Sequence, residues 1–245
     1  MTMGRLMNRA VARVTPQDDS EDAVAFLQGL LTNDVSGDGP TFAALLTAQG
    51  KAMFDMIVWR DGSDVLLDCE ADRAEDLAKR LSLYRLRRKI DIAVDVSRAV
   101  FWSDEAADDF APDPRLASLG FRRIGEANSS SESVGDSYLA HRLSLGVPEG
   151  FAELGDILWL ETNAAELNGV SFTKGCYIGQ ENTARMNWRQ KINRRLVVVP
   201  LDMSQDKRRK AEHPALGFAV DHLRVEDIPT EHVPEWMQLS GGEEA

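Results

Sequence analysis

Eight consecutive residues, Lys174-Gly175-Cys176-Tyr177-Ile178-Gly179-Gln180-Glu181, join a cation, a thiol, a phenol, an amide, a carboxylate and two glycines. A segment built only to fill a core has no use for so many polar groups. The glycines permit positive φ and close approach of the backbone to a ligand. From Gln180 to Arg189 there is neither Gly nor Pro, so the chain can continue as a helix, with Cys176 just ahead of its N-terminus. The partial positive charge there favours the thiolate, which is both the nucleophile and the metal ligand, and Lys174 pushes the same way. The alternative is a tight turn around a buried, inert cysteine. Cys69, closing the apolar run Val65-Leu66-Leu67-Asp68-Cys69, reads as an inert thiol.

Two carboxylates stand out next. Asp55 interrupts the otherwise apolar stretch Ala52–Arg60, so it either faces solvent at an edge or points into a cavity. Glu161 ends the run Leu158-Trp159-Leu160, as a surface residue or as the polar anchor of an apolar pocket. Two basic stretches lack any acid. Lys79, Arg80, Arg85, Arg87, Arg88 and Lys89 form one; Arg185, Arg189, Lys191, Arg194 and Arg195 form the other. They read either as solvated helix ends or as a local site for a carboxylate-bearing ligand.

The elements that must position these groups follow from periodicity and turn signals. Ser20–Leu31 has a helical apolar face of Val24, Leu27, Leu30 and Leu31, with Ser20 as the cap. Strands are expected at Thr41–Leu46, Ala52–Arg60 and Val65–Cys69, joined at Gln49-Gly50-Lys51 and Asp61-Gly62. In Ala52–Arg60, Phe54 and Met56 share one side and Asp55 takes the other. A helix over Asp72–Leu83 and a strand over Ile90–Trp102 come next. Ser103–Pro114 reads as an exposed acidic loop, Gly125–Ser137 as a mobile segment, Ser137–Leu145 as a helix and Leu196–Leu201 as a strand. Strands and helices in this order indicate an α+β fold with antiparallel sheets.

These segments together resemble the YgfZ family of folate-binding proteins, a T-protein-like family related to the glycine-cleavage T-protein, which includes a mitochondrial iron–sulfur maturation factor. The octet carries the resemblance most specifically. Phe26–Val35, Gln49–Asp55, Leu83–Arg87, Gly146–Gly150, Leu160–Asn163 and Asn168–Thr173 extend it from about Ala23 to Val199. The resemblance implies a multi-domain ring around a central cavity that holds tetrahydrofolate or a one-carbon derivative. It implies a folate-binding domain of residues 1–20 plus 98–195, an α+β domain of 21–97, and a short or degenerate C-terminal barrel in 196–245. By similarity, Glu161 grips the pterin, and Asn33, Asp55, Tyr84, Tyr177, Gln180 and Arg185 fall on the folate. The resemblance also implies a role in assembling or maintaining iron–sulfur proteins. Cys176 would then be the reactive thiol, or a cluster ligand shared with a partner, with Lys174 and Asp55 beside the chemistry. The T-protein's second active-site acid is replaced by Phe54, which counts against aminomethyl transfer, although a one-carbon transferase remains the alternative.

Composition bounds the rest. A chain of 245 residues with 43% hydrophobic and 28% charged residues suits an ordinary globular protein. The net charge of -12 argues against binding duplex nucleic acid. Two widely spaced cysteines form no metal pair or disulfide framework, so no tightly held metal is expected. Without a secretory signal or a spanning apolar run, the expectation is a cytoplasmic, membrane-free monomer that meets iron–sulfur assembly or client proteins transiently. The acidic end, Gly241–Ala245, reads as disordered.

Overall fold

The computed structural model describes residues 1–128, 131–189 and 192–239. Its elements run β1 (Met3–Arg5), β2 (Arg9–Pro16), α1 (Ala23–Gln28), β3 (Thr41–Leu46), β4 (Ala52–Asp61), β5 (Asp64–Glu70), α2 (Ala74–Arg85), β6 (Ile90–Val94) and β7 (Arg98–Ser103). There follow β8 (Ala111–Pro112), β9 (Phe121–Glu126), α3 (Gly135–Ser144), α4 (Phe151–Leu154), α5 (Gln180–Arg189), β10 (Arg194–Pro200), β11 (Arg209–His213) and β12 (Phe218–Arg224). They form three antiparallel sheets, in the orders β3-β4-β5-β2-β6, β1-β7-β9-β8 and β10-β12-β11.

The five-stranded sheet is buried on both faces. One face carries Val14, Ala43, Leu45, Phe54, Met56 and Leu67, packed with Leu27 of α1 and Leu77 and Leu81 of α2 in a single core. The alternate residues face the other way. Arg9, Asp55 and Asp68 therefore point into a second interior rather than into water. Of the two readings of Asp55, solvent exposure fails because α4 and its preceding turn cover that face.

Several boundaries shift for identifiable reasons. The first helix is only Ala23–Gln28; Asp22 caps it by accepting from the N–H of Val24 and Ala25, while Ser20 bonds to Asp18. The single strand expected over Ile90–Trp102 is two strands in different sheets. Asp95 Oδ1 accepts from the Ser97 N–H at 3.0 Å, and that turn breaks the run. Gly125–Ser137 contains the end of β9, an isolated bridge from Ser133 to Arg5, buried Val134 and the start of α3; Ser129 and Ser130 lie outside the described residues. The expected exposed loop Ser103–Pro114 holds β8 and the fully paired, buried Asp113. The sequence reading groups residues 1–20 with 98–195; β1 does pair with β7, but β2 lies between β5 and β6 in the five-stranded sheet. The C-terminal strands make an open three-stranded sheet, with no closed barrel among the described residues. Gly241–Ala245 lies outside them.

A buried charge network fastens the five-stranded sheet to the four-stranded one. Asp68 on β5 accepts from Arg9 Nε on β2 at 2.6 Å and from Arg122 Nη1 on β9 at 2.9 Å. Arg115 binds Asp113 through both Nε and Nη2, at 2.9 and 2.7 Å, and Glu149 through Nη1 at 2.6 Å. Arg122 also reaches Asp113 and Tyr138, and the Tyr138 hydroxyl donates to Glu149 at 2.6 Å. Burial opposes ionisation of Glu149 and Asp113, yet Arg115 first, with Arg9 and Arg122, holds the former well below the usual carboxylate range, and Arg115 and Arg122 lower the latter.

Replacing Arg122 with Met would strand Asp68 and Asp113 with half their partners. We expect a loss of about 3–5 kcal/mol, the scale for breaking a buried ion pair from one side. Urea unfolding of wild type and Arg122→Met checks it; a difference below about 1 kcal/mol would show that the network contributes nothing specific.

Candidate functional site

The octet leads from an irregular loop into α5, which begins at Gln180 as the sequence suggested. Its placement depends on two glycines. Gly50, in the turn between β3 and β4, and Gly179 have φ of +78° and +80°. A Cβ on Gly179 would lie 2.5 Å from the Thr47 carbonyl oxygen and 2.9 Å from Gly50 Cα. Only glycines let these backbones touch. Asn182 then donates to the Gln49 carbonyl at 2.6 Å. The same turn receives the segment that carries Glu161: the Trp159 N–H donates to the Gly50 carbonyl at 3.0 Å, and Leu158 bridges to Lys51.

Lys174 ties the octet to a third stretch. Its ammonium donates to the carbonyls of Leu31 and Asn33 at 2.6 and 2.8 Å and sits 5.3 Å from the centre of the Tyr177 ring. Burial pulls its pKa down to about 8. These bonds commit the cation to the 31–33 loop, so its role toward Cys176 differs from the expected direct support of a thiolate. The Asn33 side chain is equally committed, donating to the carbonyls of Phe42 and Asn168 at 2.9 and 2.7 Å.

The two thiols differ as expected in exposure. Cys176 is exposed and Cys69 is buried. Burial pushes the Cys69 thiol up to about 12. Beside Cys176, a Cβ on Gly175 would meet nothing within 4 Å, so that side of the loop is open. Tyr177 is turned inward, where burial raises its phenol pKa. Gln180 opens α5, half-buried, and Arg185 is exposed. Trp188 on the same helix is 88% exposed, and Phe172 just ahead of the octet is 45% exposed. Lys191 lies outside the described residues.

Other expected site residues lie elsewhere. Glu161 occupies a short 3-10 turn, Trp159–Thr162, and its Oε2 meets His222 Nε2 of β12 at 2.8 Å. Asp55 makes its contacts beneath the Gly150 turn, with a long 3.4 Å bond from the Gly150 N–H. Tyr84 packs on the edge of the larger core, with the Arg80 guanidinium 5.7 Å from its ring centre. The first basic stretch is largely structural. Arg88 pairs with Glu21 and Lys89 with Asp18, each at 2.8 Å, and Arg85 donates to the Ile90 carbonyl. In the second, Arg195 is buried against Glu166 at 2.8 Å and the Leu160 carbonyl at 2.9 Å. No group of three or more His, Cys, Asp or Glu side chains able to hold a metal exists among the described residues. No helix among them is long and apolar enough to cross a membrane.

Sequence reasoning missed His222, Glu70 and the whole arginine network. Glu149, a lone acid between Pro148 and Gly150, carried the one local hint.

No family model matches the chain. It is 37% identical over 235 residues to the human mitochondrial iron–sulfur cluster assembly factor IBA57, covering 80% of this chain and 65% of that protein. The mouse protein of that name is 34% identical over 242 residues, covering 82% and 66%. The Neurospora crassa homologue is 33% identical over 215 residues, covering 72% and 49%. The chain thus spans less than two thirds of the length of these curated relatives. Among solved structures, the glycine cleavage system aminomethyltransferase T from Bartonella henselae superposes with a TM-score of 0.63 over 91% of this chain and 78% of that one, at 12% identity. The fold is therefore that of the T-protein. These relatives are mitochondrial proteins, which overturns the expected cytoplasmic compartment. The physical reason is plain: free cysteines indicate a reducing compartment and do not tell one such compartment from another.

The Lys174 amine gives a direct check on this geometry. Its folded pKa, about 8, lies below the ordinary 10.5. Burial therefore favours folding only for the neutral amine: that contribution is complete above 10.5 and is lost as pH falls through about 8. A carbon-13 titration of the lysine Cε signals should show one midpoint near 8 that vanishes in Lys174→Met. A midpoint near 10.5 would mean that the ammonium is solvated and the octet is not pinned to the 31–33 loop.

Proposed function

The chain belongs to the T-protein-like family that includes the IBA57 iron–sulfur cluster assembly factors, and on that premise we propose that it acts in assembling or maintaining iron–sulfur proteins through Cys176. The observation that carries this reading is the exposure of Cys176 on a loop fastened at Lys174 on one side and at Gly179 on the other, while Cys69 is buried. A thiolate is a soft ligand suited to iron. Four thiolates are the usual set for a cluster, and this chain offers one accessible cysteine. It therefore shares a cluster with a partner or exchanges ligands with one, as a monomer in transient contact with iron–sulfur machinery.

Reduced folate is the small ligand we assign to the chain. Glu161 supports this, because a carboxylate can accept paired N–H bonds from an aminopterin edge. Its partner His222 must then release Oε2 or share it, so folate binding and the Glu161–His222 contact compete. Asp55, Tyr84, Tyr177, Gln180, Arg185 and Asn33 are the further folate residues of this reading.

Three measurements test it. Cys176→Ser should keep the melting temperature and folate affinity of the wild type while losing support of iron–sulfur enzymes in cells lacking the natural factor; full support would remove the thiol from the mechanism. At pH 7 an alkylating reagent should modify Cys176 well before Cys69, and the reverse order would refute the assignment. Glu161→Ala should weaken reduced folate by about 1.5–3 kcal/mol in calorimetry, the scale of a hydrogen bond to a charged group. Equal affinity of the two proteins would take Glu161 off the pterin.

A further inference from the structure

Beneath the turn that precedes α4 lies a group of ionisable side chains of which the folate reading uses only Asp55. Arg9 on β2 stands directly opposite Glu70 on β5. The antiparallel ladder of β4 and β5 ends at Ile57 and Asp68, and Asp55 and Glu70 each lie two residues beyond that last pair, on the same face as Asp68. Arg9, Glu70 and Asp55 thus lie across three neighbouring strands, on the face turned away from the larger core. Two acids side by side on neighbouring strands repel when both are ionised.

The turn above binds both acids through consecutive amides. The Phe151 N–H donates to Glu70 Oε2 at 2.8 Å, and the Gly150 N–H reaches Asp55 Oδ2 at 3.4 Å. Gly150 has φ of +80°, and a Cβ there would lie 2.8 Å from Glu70 Oε1. The glycine therefore lets the backbone settle onto the Glu70 carboxyl. Charge counting isolates the pair further. Arg9, Arg115 and Arg122 are already balanced by Asp68, Asp113 and Glu149. Arg9 spends Nε on the Asp68 carboxylate and Nη2 on its carbonyl. Its buried Nη1 has no hydrogen-bond partner and stands 3.7 Å from Glu149 Oε1. That idle donor and Asp55 interact electrostatically within the same interior.

We propose that Asp55 and Glu70 form one proton-binding site, a carboxyl pair that retains a shared proton while the neighbouring arginine network stays fully charged. The charged groups around the pair are Arg9 on β2, Asp68 on the same face of β5, Asp72 just beyond β5, Arg115 after β8 and Glu149 in the covering turn, while Cys69 acts electrostatically from the opposite face of β5. Burial raises Glu70 to about 7, with Asp55 as the next cause, and burial raises Asp55 as well. The protonated member is a neutral acid inside an interior that already balances its ions. Loss of that proton places a second negative charge under the Gly150–Phe151 amides. Because the folded value of Glu70 is raised, its favourable contribution is complete below the ordinary 4.5 and is lost as pH rises through about 7.

Carbon-13 titration of the side-chain carboxyls in the whole chain tests the proposal. In wild type, one of the two signals should keep its proton into the neutral range. In Glu70→Gln, whose amide can still accept from Phe151, the Asp55 midpoint should fall by at least about one pH unit. The stability difference between wild type and Glu70→Gln, read from urea midpoints, should change between pH 4.5 and 7 and be flat above pH 8. Wild-type midpoints for both acids below pH 5 would overturn the shared proton. So would an Asp55 midpoint unmoved by Glu70→Gln. The wild-type titration decides the matter even if the variant fails to fold.

Discussion

The salt-bridged interior between the five-stranded and four-stranded sheets is the constraint on which the rest depends. An isolated charge in such a place would be prohibitively costly, and removing one partner of a buried pair leaves that cost exposed. The chain meets it by matching three guanidinium groups to three carboxylates drawn from five separate segments, with the Tyr138 hydroxyl of α3 bridging them. Arg9 and Asp68 come from β2 and β5, Arg122 from β9, Asp113 and Arg115 from the segment after β8, and Glu149 from the turn before α4. Because the ion pairs close only when all five arrive, the network fixes how the sheets meet. It also explains why β5 carries Leu66, Asp68 and Glu70 on one buried face: the strand is a core element on one side and an electrostatic seam on the other.

The octet solves a different problem, that of holding an exposed thiol at the surface on a fastened loop. Backbone contact between Gly50 and Gly179, the Asn182 bond to Gln49 and the two bonds from Lys174 fix the loop from both ends. Cys176 lies between these fastenings and remains exposed. The bonds of Lys174 are made to carbonyls, so the lysine serves to anchor its segment to the 31–33 loop. A side chain presented this way suits exchange with another protein better than chemistry inside a closed pocket.

Much of this was legible in the sequence where local rules dominate. Thr41–Leu46 matches β3 without change, and the Asp61-Gly62 signal ends β4 at the expected hairpin. The helix after the octet follows from the absence of Gly and Pro through Arg189. Alternation correctly put Phe54 and Met56 opposite Asp55. What alternation could not say is what covers the second face, because that depends on Glu149–Leu154, nearly a hundred residues away. The arginine network was invisible for the same reason. Its members look like ordinary surface charges in sequence, and the acids at 113 and 149 sit in stretches rich in Pro and Gly that read as loops. The break at Asp95 was missed because Ile90–Trp102 keeps strand-like residues on both sides of a two-residue side-chain turn.

The C-terminal sheet shows how an open element still positions Glu161. Three strands in the order β10-β12-β11 leave two edges, so the sheet cannot close on itself. It is held instead by fastenings to the body. Asn163 donates to the Leu196 carbonyl at 2.8 Å, Lys210 to the Gly155 carbonyl at 2.9 Å, and His213 meets Glu153, which is itself paired with Arg142. Arg195 adds its bond to the Leu160 carbonyl. Two of these bonds, with the Glu161–His222 contact, grip the single turn from Trp159 to Asn163. The other end of that turn rests on Gly50, which rests on Gly179. Glu161 is thereby held between the C-terminal sheet and the octet. Loss of the β12 contact would free its carboxylate without moving the cysteine loop, because the two are fastened to the β3–β4 turn by separate bonds. The carboxylate and the thiol are therefore mechanically separable.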